Sequence, residues 1–438
     1  MKVLKFGSAS IATTGKIKDV VSIILKEKAA IVVLSSIMGT AESLSEISDY
    51  LYKKNNEGAN EIINRLELDY ISLVSELFSQ NEYKTKAIEI VTAKYDYIRT
   101  FTKGLFTLFE ERVVMAQGEI ISSEIIQMLI EEQKGNSALI SALDFIRTDK
   151  NSAPDRTYLK EQLEVLLEKE KGHDLYITQG YICRNVYGEI DDLRKGGSDF
   201  TASLIGAAIE ATEIQIWADV DVMQNNDSRY VKDTKVIRHL SYEEAAELTY
   251  FGSKILHPSS ISPAKLSNIP IRLKNTNSPD ADGTQVSNEI EHNVIKAVAA
   301  KDGITAIKIK SGRMLLAHGF LRRIFEIFEN YQTSIDMLTT SEVGVSVTID
   351  DNRNLENILD DLKKYGTVTV DKDMVIIAVV GDLDWENVGL ESKIIDAVNE
   401  IPIRMISYGG SNYNLSFLVR KADKEKALQI LNNKLFNN

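Results

Sequence analysis

Within residues 177–229, the run Lys195-Gly196-Gly197-Ser198-Asp199 places a cation, two positions without side chains, a hydroxyl and a carboxylate side by side. Backbone this bare can approach a bound group closely. Ala202, Leu204, Ile205, Ala208 and Ile209 recur at helical spacing just after it, which predicts a helix over 200–211 with Ser198 or Asp199 as N-cap. The first turn of such a helix offers unpaired N–H groups and the positive end of the helix dipole, an anion site to which Lys195 adds a full charge. Beyond the helix, IQIWADV reads as a strand closing on Asp219 and Asp221, which makes a loop–helix–strand unit of the phosphate-handling α/β kind. A glycine pair is also ordinary turn punctuation, and spacing alone leaves both readings open.

The elements that must position these groups start at the N-terminus. Residues 3–6 read as a short apolar strand with Lys5 near its end, and Gly7-Ser8-Ala9-Ser10 after it are small enough to bring backbone amides against a ligand. A helix over 17–27 and a buried-looking strand over 30–36 make the opening βαβ, so a parallel sheet is expected, with ligands beyond the carboxyl ends of its strands. Residues 41–137 are helical in pattern throughout and include Gly118-Glu119-Ile120-Ile121-Ser122-Ser123. On periodicity alone, Glu119 reads as a solvated helix residue. Strands over 137–141 and 175–182 flank a helix over 158–171. A helix over 241–250, a turn with a short helix over 251–258 and the strand IPIRLKN complete a first region that closes near residue 290.

A chain of 438 residues with 44% apolar and 26% charged residues has the composition of a globular protein of two to four domains. Its net charge of −13 argues against a nucleic-acid or membrane-surface partner, but not against small anions, which respond to local charge. The single cysteine, Cys183, excludes an intramolecular disulfide, and five scattered histidines suggest no zinc site. MKVLKFG is a strand start rather than a signal peptide, and apolar runs such as MVIIAVV are short for a membrane span. A cytoplasmic location is expected.

After residue 290 the pattern changes to short strands and single helices. RMLLA, a helix over 320–331, SIDML, VSVTI, a helix over 355–365 and TVTVD make one β-α-β-β-α-β set. VIIAVV, a helix over 385–399, IRMIS, LSFLV and a helix over 422–433 make a second set that lacks its last strand. The orphan strand ITAIKIK, residues 304–310, is expected to complete that second sheet.

In this order, KFGSAS, VVLSSIMG, GEIIS, RTD, QGYI, RKGGSD, WADVD, DSR, ELTYFGSKILHP and NTNSP, followed by GFLRRIFEIF, DMLTTSEVGVSVTID and IRMISYGGSNYNLSFLV, resemble the aspartokinases, and most of all their lysine-sensitive branch. The resemblance covers nearly the whole chain. It implies an α/β fold: a three-layer α/β/α amino-acid kinase domain with a mainly parallel sheet over 1–290, then a tandem ferredoxin-like ACT module over 304–438. The first ACT copy would span about 312–371, and the second about 373–438 with strand 304–310. The implied reaction moves the γ-phosphoryl group of ATP, with Mg²⁺, to the side-chain carboxylate of L-aspartate, the entry step to lysine, threonine and methionine synthesis. An acceptor with a pKa of about 4 is already ionised and needs no general base.

Carried over position by position, Lys5 matches the catalytic lysine and Asp199 the carboxylate that orients it. Ser35, Glu119, Lys195 and Ser198 match the aspartate site, with Glu119 facing the substrate ammonium. Gly7, Ser8, Gly196, Gly197, Asp219, Asp227, Arg229 and Lys254 match positions around the nucleotide. His318, Gly319, Phe320, Leu321, Asp336 and Ser341 match the residues that hold the effector L-lysine in the first ACT copy; apart from the resemblance, Asp336 reads equally as a strand end in solvent. No protein-held metal is expected, and ACT pairing implies a homodimer or a tetramer. The chain departs from the family at Lys195, where an arginine fork normally grips the substrate carboxylate and a lysine offers only a point charge. That departure keeps open a kinase for another acidic amino acid, and an inactive amino-acid sensor is the alternative from a different class.

Overall fold

Short strands that bury both faces organise the N-terminal part of the chain: AIVVL and LYITQ are buried at every position and KVLKF at all but its first, as strands covered by helices on both sides must be. The computed structural model describes residues 1–37, 39–193, 196–220, 223–252, 256–311 and 318–437. The chain divides into two compact units, Met1–Met223 with Ile255–Asn288, and Gln224–Lys254 with Glu289–Asn438.

The first unit contains β1 (Lys2–Phe6), α1 (Thr14–Ile24), β2 (Ala30–Leu34), α2 (Thr40–Tyr52), α3 (Asn56–Leu77), α4 (Asn81–Thr100), α5 (Leu108–Glu132) and β3 (Ser137–Leu139). It continues with α6 (Ala142–Phe145), α7 (Arg156–Lys169), β4 (Leu175–Gln179), β5 (Ile182–Arg184), β6 (Ile190–Asp192), α8 (Gly197–Ala208) and β7 (Ile214–Ala218). β8 (His239–Ser241) and α9 (Tyr242–Phe251) group with the second unit, and α10 (Pro258–Leu266), β9 (Ile271–Asn275) and β10 (Thr284–Ser287) return to the first. Within the first unit the sheet order is β3-β4-β2-β1-β7-β9-β10. All of these pairings are parallel except β9 with β10. The chain leaves β1 toward β2 on one side and returns to its other side at β7, so the order reverses at β1. In open α/β sheets the crevice beyond the strand ends at such a reversal is where ligands bind.

Helix α5 is buried nearly all round between Val113 and Ile130, as a helix at the centre of a core must be. It is long and apolar enough to cross a membrane by length and composition, a feature the sequence reading missed, and 83% of that apolar window lies inside the protein. A capping box of Thr107 and Glu110 starts it.

The second unit continues with β11 (Ile295–Lys310), α11 (Phe320–Asn330), β12 (Leu338–Ser341), β13 (Gly344–Ile349), α12 (Leu355–Lys363), β14 (Thr367–Gly381), α13 (Leu390–Ala397), β15 (Met405–Ser407), β16 (Asn414–Arg420) and α14 (Lys424–Phe436). Its antiparallel sheet has the order β12-β13-β11-β14-β16-β15. Here the strand count from sequence is corrected. Residues 304–310 pair with β13 and with the first part of β14, inside the first ACT copy, and do not complete the second. The strand that does so is 295–301, which pairs with residues 376–381 of β14. Its IKAVAAK sequence is rich in alanine and lysine, residues poor in strand propensity, so it carried little strand signal. RMLLA lies outside the described residues. SIDML also shifts: the strand is Leu338–Ser341, and Asp336 precedes it.

Residues 224–254 lie inside the region expected as the kinase domain, 1–290, and pack with the second unit. Val298 N–H donates to Asn225 O at 2.8 Å, and Asn226 Nδ2 donates to Leu428 O at 3.1 Å, so local hydrogen bonding ties this segment to β11 and α14.

β11 and β14 each run through both ACT copies, whose cores are otherwise separate: Ile307, Ile324, Val347 and Ile358 in one, Ile377, Ile394, Phe417 and Leu428 in the other. Shared strands should make the copies unfold together. Ile307→Ala and Ile377→Ala, both at fully buried positions, should each cost about 2–5 kcal/mol. Hydrogen exchange of Ile307→Ala should show lost protection in Asn414–Arg420 as well as in Gly344–Ile349. Loss confined to the substituted copy would mean that the copies fold independently.

Candidate active site

Lys5 lies at the carboxyl end of β1, in register with Val33 of β2 and Ile216 of β7. Its ammonium is 2.6 Å from Asp199 Oδ1, and the two side chains are only 11% and 14% exposed. A lysine this buried needs a counter-charge, and Asp199 supplies it from the first turn of α8. That helix begins at Gly197 with Gly196 as N-cap in the left-handed region (φ 80°), which corrects the expected cap at Ser198 or Asp199. The glycine takes the conformation that a β-carbon disfavours, and both side chains are left free to line the site.

Ser198 and Ser35 share a hydrogen bond, with their hydroxyls 2.7 Å apart. Ser35 follows β2, its N–H donating to Phe6 O at 3.2 Å, so the α8 turn and the ends of β1 and β2 meet here. Gly180 after β4 makes the approach possible, because a Cβ there would overlap Ser198. Glu119 comes from α5 and is 8% exposed, which removes the reading of it as a solvated helix residue. Burial pushes its carboxyl up to about 7, against hydrogen bonds from its own backbone and from Ser36 that favour the ionised form. The site therefore has a cationic side, Lys5 with the α8 N-terminus, and an anionic side at Glu119. A small zwitterion with a second acid group suits that polarity.

On the other side of β1, Gly7 precedes a turn of 3₁₀ helix, Ser8–Ile11, and a Cβ on Gly7 would stand 3.2 Å from Lys5 Nζ. Ser10 Oγ donates to Trp217 O at 3.3 Å. Lys16 Nζ lies 3.0 Å from Ala9 O and 2.9 Å from Asp219 Oδ2, while Asn277 Nδ2 donates to Asp219 O at 2.9 Å. The small-residue turn and Asp219 are thus stitched together at the sheet reversal.

Lys5, Gly7, Ser8, Ser35, Glu119, Gly196, Gly197, Ser198, Asp199 and Asp219 all belong to the first unit, whereas Asp227 and Arg229 belong to the second. There Arg229 Nη2 and Asp227 Oδ2 pair at 2.6 Å, and Arg229, its N–H included, holds the Asp227 carboxyl below its usual range. Lys195 and Lys254 lie outside the described residues. Sequence reasoning missed Ser36, Gly180 and Lys16 as parts of this site. QGYI was noticed without a role for its glycine, and nothing in the local sequence links Lys16 to Asp219.

The effector candidates sit in the second unit. His318 is exposed and Gly319 caps α11 at φ 82°; Phe320 is buried, and Ser341 is exposed on β12. Asp336 has a side chain with 0% exposure, so it is no strand end in solvent.

Comparison with known proteins agrees with this geometry. The lysine-sensitive aspartokinase 3 of Escherichia coli K12 is 29% identical, over 99% of this chain and 99% of its own length. The crystal structure of E. coli aspartokinase III with aspartate and ADP (R-state) superposes with a TM-score of 0.84 at 28% identity and covers 100% of both chains. The same enzyme with lysine and aspartate (T-state) gives 0.83 at 29%, over 100% of this chain and 99% of the other. An ACT domain matches residues 377–435. The amino acid kinase family matches residues 1–275, which include β1, β7 and the reversal between them, and the chain belongs to that family.

Proposed function

We infer that this protein is an aspartokinase, transferring the γ-phosphoryl group of ATP to the β-carboxylate of L-aspartate under feedback control through its ACT module. The full-length likeness to an enzyme solved with aspartate and ADP carries the reading. The site suits it chemically. The acceptor carboxylate is its own nucleophile, so catalysis reduces to positioning and charge neutralisation. Lys5 neutralises charge on the transferring group, Asp199 holds Lys5 in place, the N–H groups at the start of α8 face anionic oxygens, and Glu119 receives the substrate ammonium. Gly7 and Ser8 with Asp219 form the nucleotide side.

Mg²⁺ would enter with the nucleotide, since Asp199 and Asp219 are each already met by a lysine and this ion favours phosphate oxygens, water and one or two carboxylates. When bound, it neutralises phosphate charge. L-lysine as effector, bound near His318, Gly319, Phe320, Leu321, Asp336 and Ser341, and a homodimer paired through the ACT modules, complete the reading. An ADP-release assay across acidic amino acids tests it: L-aspartate should be the preferred acceptor. Turnover with glutamate alone would reassign the substrate, and no turnover with any acid would favour the sensor reading.

Lys5→Ala should lower kcat by about 10² or more. It should also lower thermal stability, because Asp199 is left buried without a partner. The double variant Lys5→Ala/Asp199→Ala should recover stability without recovering turnover. A single variant within a few-fold of wild type would remove Lys5 from the mechanism.

Glu119, held at about 7, is partly protonated at neutral pH in the free enzyme, whereas a substrate ammonium selects its ionised form. Below that value a proton must leave before aspartate binds. KM for aspartate should therefore rise up to about tenfold per unit of falling pH between about pH 7 and 5.5, and level off above about pH 8. Glu119→Gln should raise KM and flatten the profile. A KM independent of pH over this range would contradict the assignment.

A further inference from the structure

In the second unit, two carboxylates converge on one ammonium. Lys301 Nζ lies 2.8 Å from Asp336 Oδ1 and 2.9 Å from Asp350 Oδ2, and it stands 4.3 Å from the centre of the Tyr250 ring. Tyr250, at the end of α9, donates its hydroxyl to the same Asp336 Oδ1 at 2.7 Å. Asp350 is at the rim with 41% exposure, whereas the Asp336 side chain has none. Oδ1 of Asp336 thus receives two donors, while the buried Oδ2 receives none among the described residues. A buried carboxylate oxygen without a donor is uncommon and calls for a physical explanation.

The carboxylate has little freedom to swing toward water. Asp336 N–H donates to Thr348 O at 2.9 Å, and Met337 N–H donates to the Thr348 hydroxyl at 2.9 Å, with Thr348 itself fully buried. Lys301 sits where β11 shifts register, between Lys301 and Ile304, as the strand passes from one ACT copy to the other. Burial works against the Lys301 charge, but its bonds to Asp336 and Asp350 outweigh that and hold its pKa above the ordinary value. Burial, with the Asp336 carboxylate next, pushes the Tyr250 phenol up, so Tyr250 remains a neutral donor. Two carboxylates thus face one lysine, and Oδ2 of Asp336 is the oxygen that accepts from neither Lys301 nor Tyr250.

We propose that the Tyr250 hydroxyl, bonded to Oδ1 of Asp336, couples binding of an effector ammonium at that carboxylate to helix α9. This rests on the ACT-module reading above. Tyr250 is then a positioning residue for inhibition. The two donors on Oδ1, Lys301 and the Tyr250 hydroxyl, fix the orientation of the carboxylate, so ammonium binding and the docking of α9 favour one another, as linkage requires. α9 ends at Phe251, shortly before the chain re-enters the first unit.

The test separates binding from inhibition, using the full-length protein, L-lysine, calorimetry and the ADP-release assay. Tyr250→Phe removes the hydroxyl and keeps the ring. Its Kd for L-lysine should stay within about fivefold of wild type, while activity at saturating lysine, relative to its own uninhibited rate, should rise severalfold because the coupling is lost. Asp336→Asn, close in shape and without the charge, should weaken lysine binding by more than about tenfold. Tyr250→Phe inhibited as completely as wild type at unchanged Kd would overturn the relay while the effector site stands. Asp336→Asn binding lysine like wild type would overturn the role of that carboxylate. If wild type binds no amino acid at all, the regulatory reading fails and takes this inference with it.

Discussion

A lysine with little access to water keeps its charge only where a counter-ion is fixed beside it, and the Lys5–Asp199 contact fixes one at the reversal of the sheet. Much of the first unit serves that contact. β1 lies between β2 and β7, so Lys5 arrives from the middle of the sheet, while Asp199 arrives on the first turn of a helix aimed at the same point. A pair assembled from a strand end and a helix start is held by two rigid elements, which suits a site whose work is to place charge.

Close backbone approach is the second requirement. Gly180 admits the α8 turn against the end of β4, and Gly196 adopts a left-handed conformation that starts the helix early enough for Ser198 and Asp199 to line the site. These are steric requirements, met by glycine at both positions. Glu119 differs in kind: it is charged chemistry carried into the core by a helix buried nearly all round, and burial tunes its proton affinity toward neutrality.

The second unit is organised by sharing. β11 and β14 each cross both ACT copies, and the irregular point in β11 is where Lys301 meets Asp336 and Asp350. The buried, half-satisfied carboxylate thus sits at the seam of the module, beside a helix that the chain places before its return to the first unit. A carboxylate with one oxygen bonded and the other without a donor among the described residues can link a ligand to a helix, because both ends of the link are the same rigid side chain.

Local pattern was sufficient for the βαβ opening, the helical stretch that became α2 to α5 and a helix start beside the Gly196-Gly197 pair, because each rests on periodicity or turn chemistry within a few neighbouring residues. The motif order carried Lys5, Glu119, Ser198 and Asp199 as candidates. Only the tertiary structure decided which strand completes which ACT sheet, since an alanine-rich strand is specified by its long-range partners rather than by its own propensity. It alone moved 224–254 into the second unit, through hydrogen bonds to β11 and α14. It alone paired Lys16 with Asp219, and Tyr250 and Lys301 with Asp336. The burial of Glu119 and Asp336 was equally out of reach, because whether a carboxylate meets water depends on what the rest of the chain packs over it.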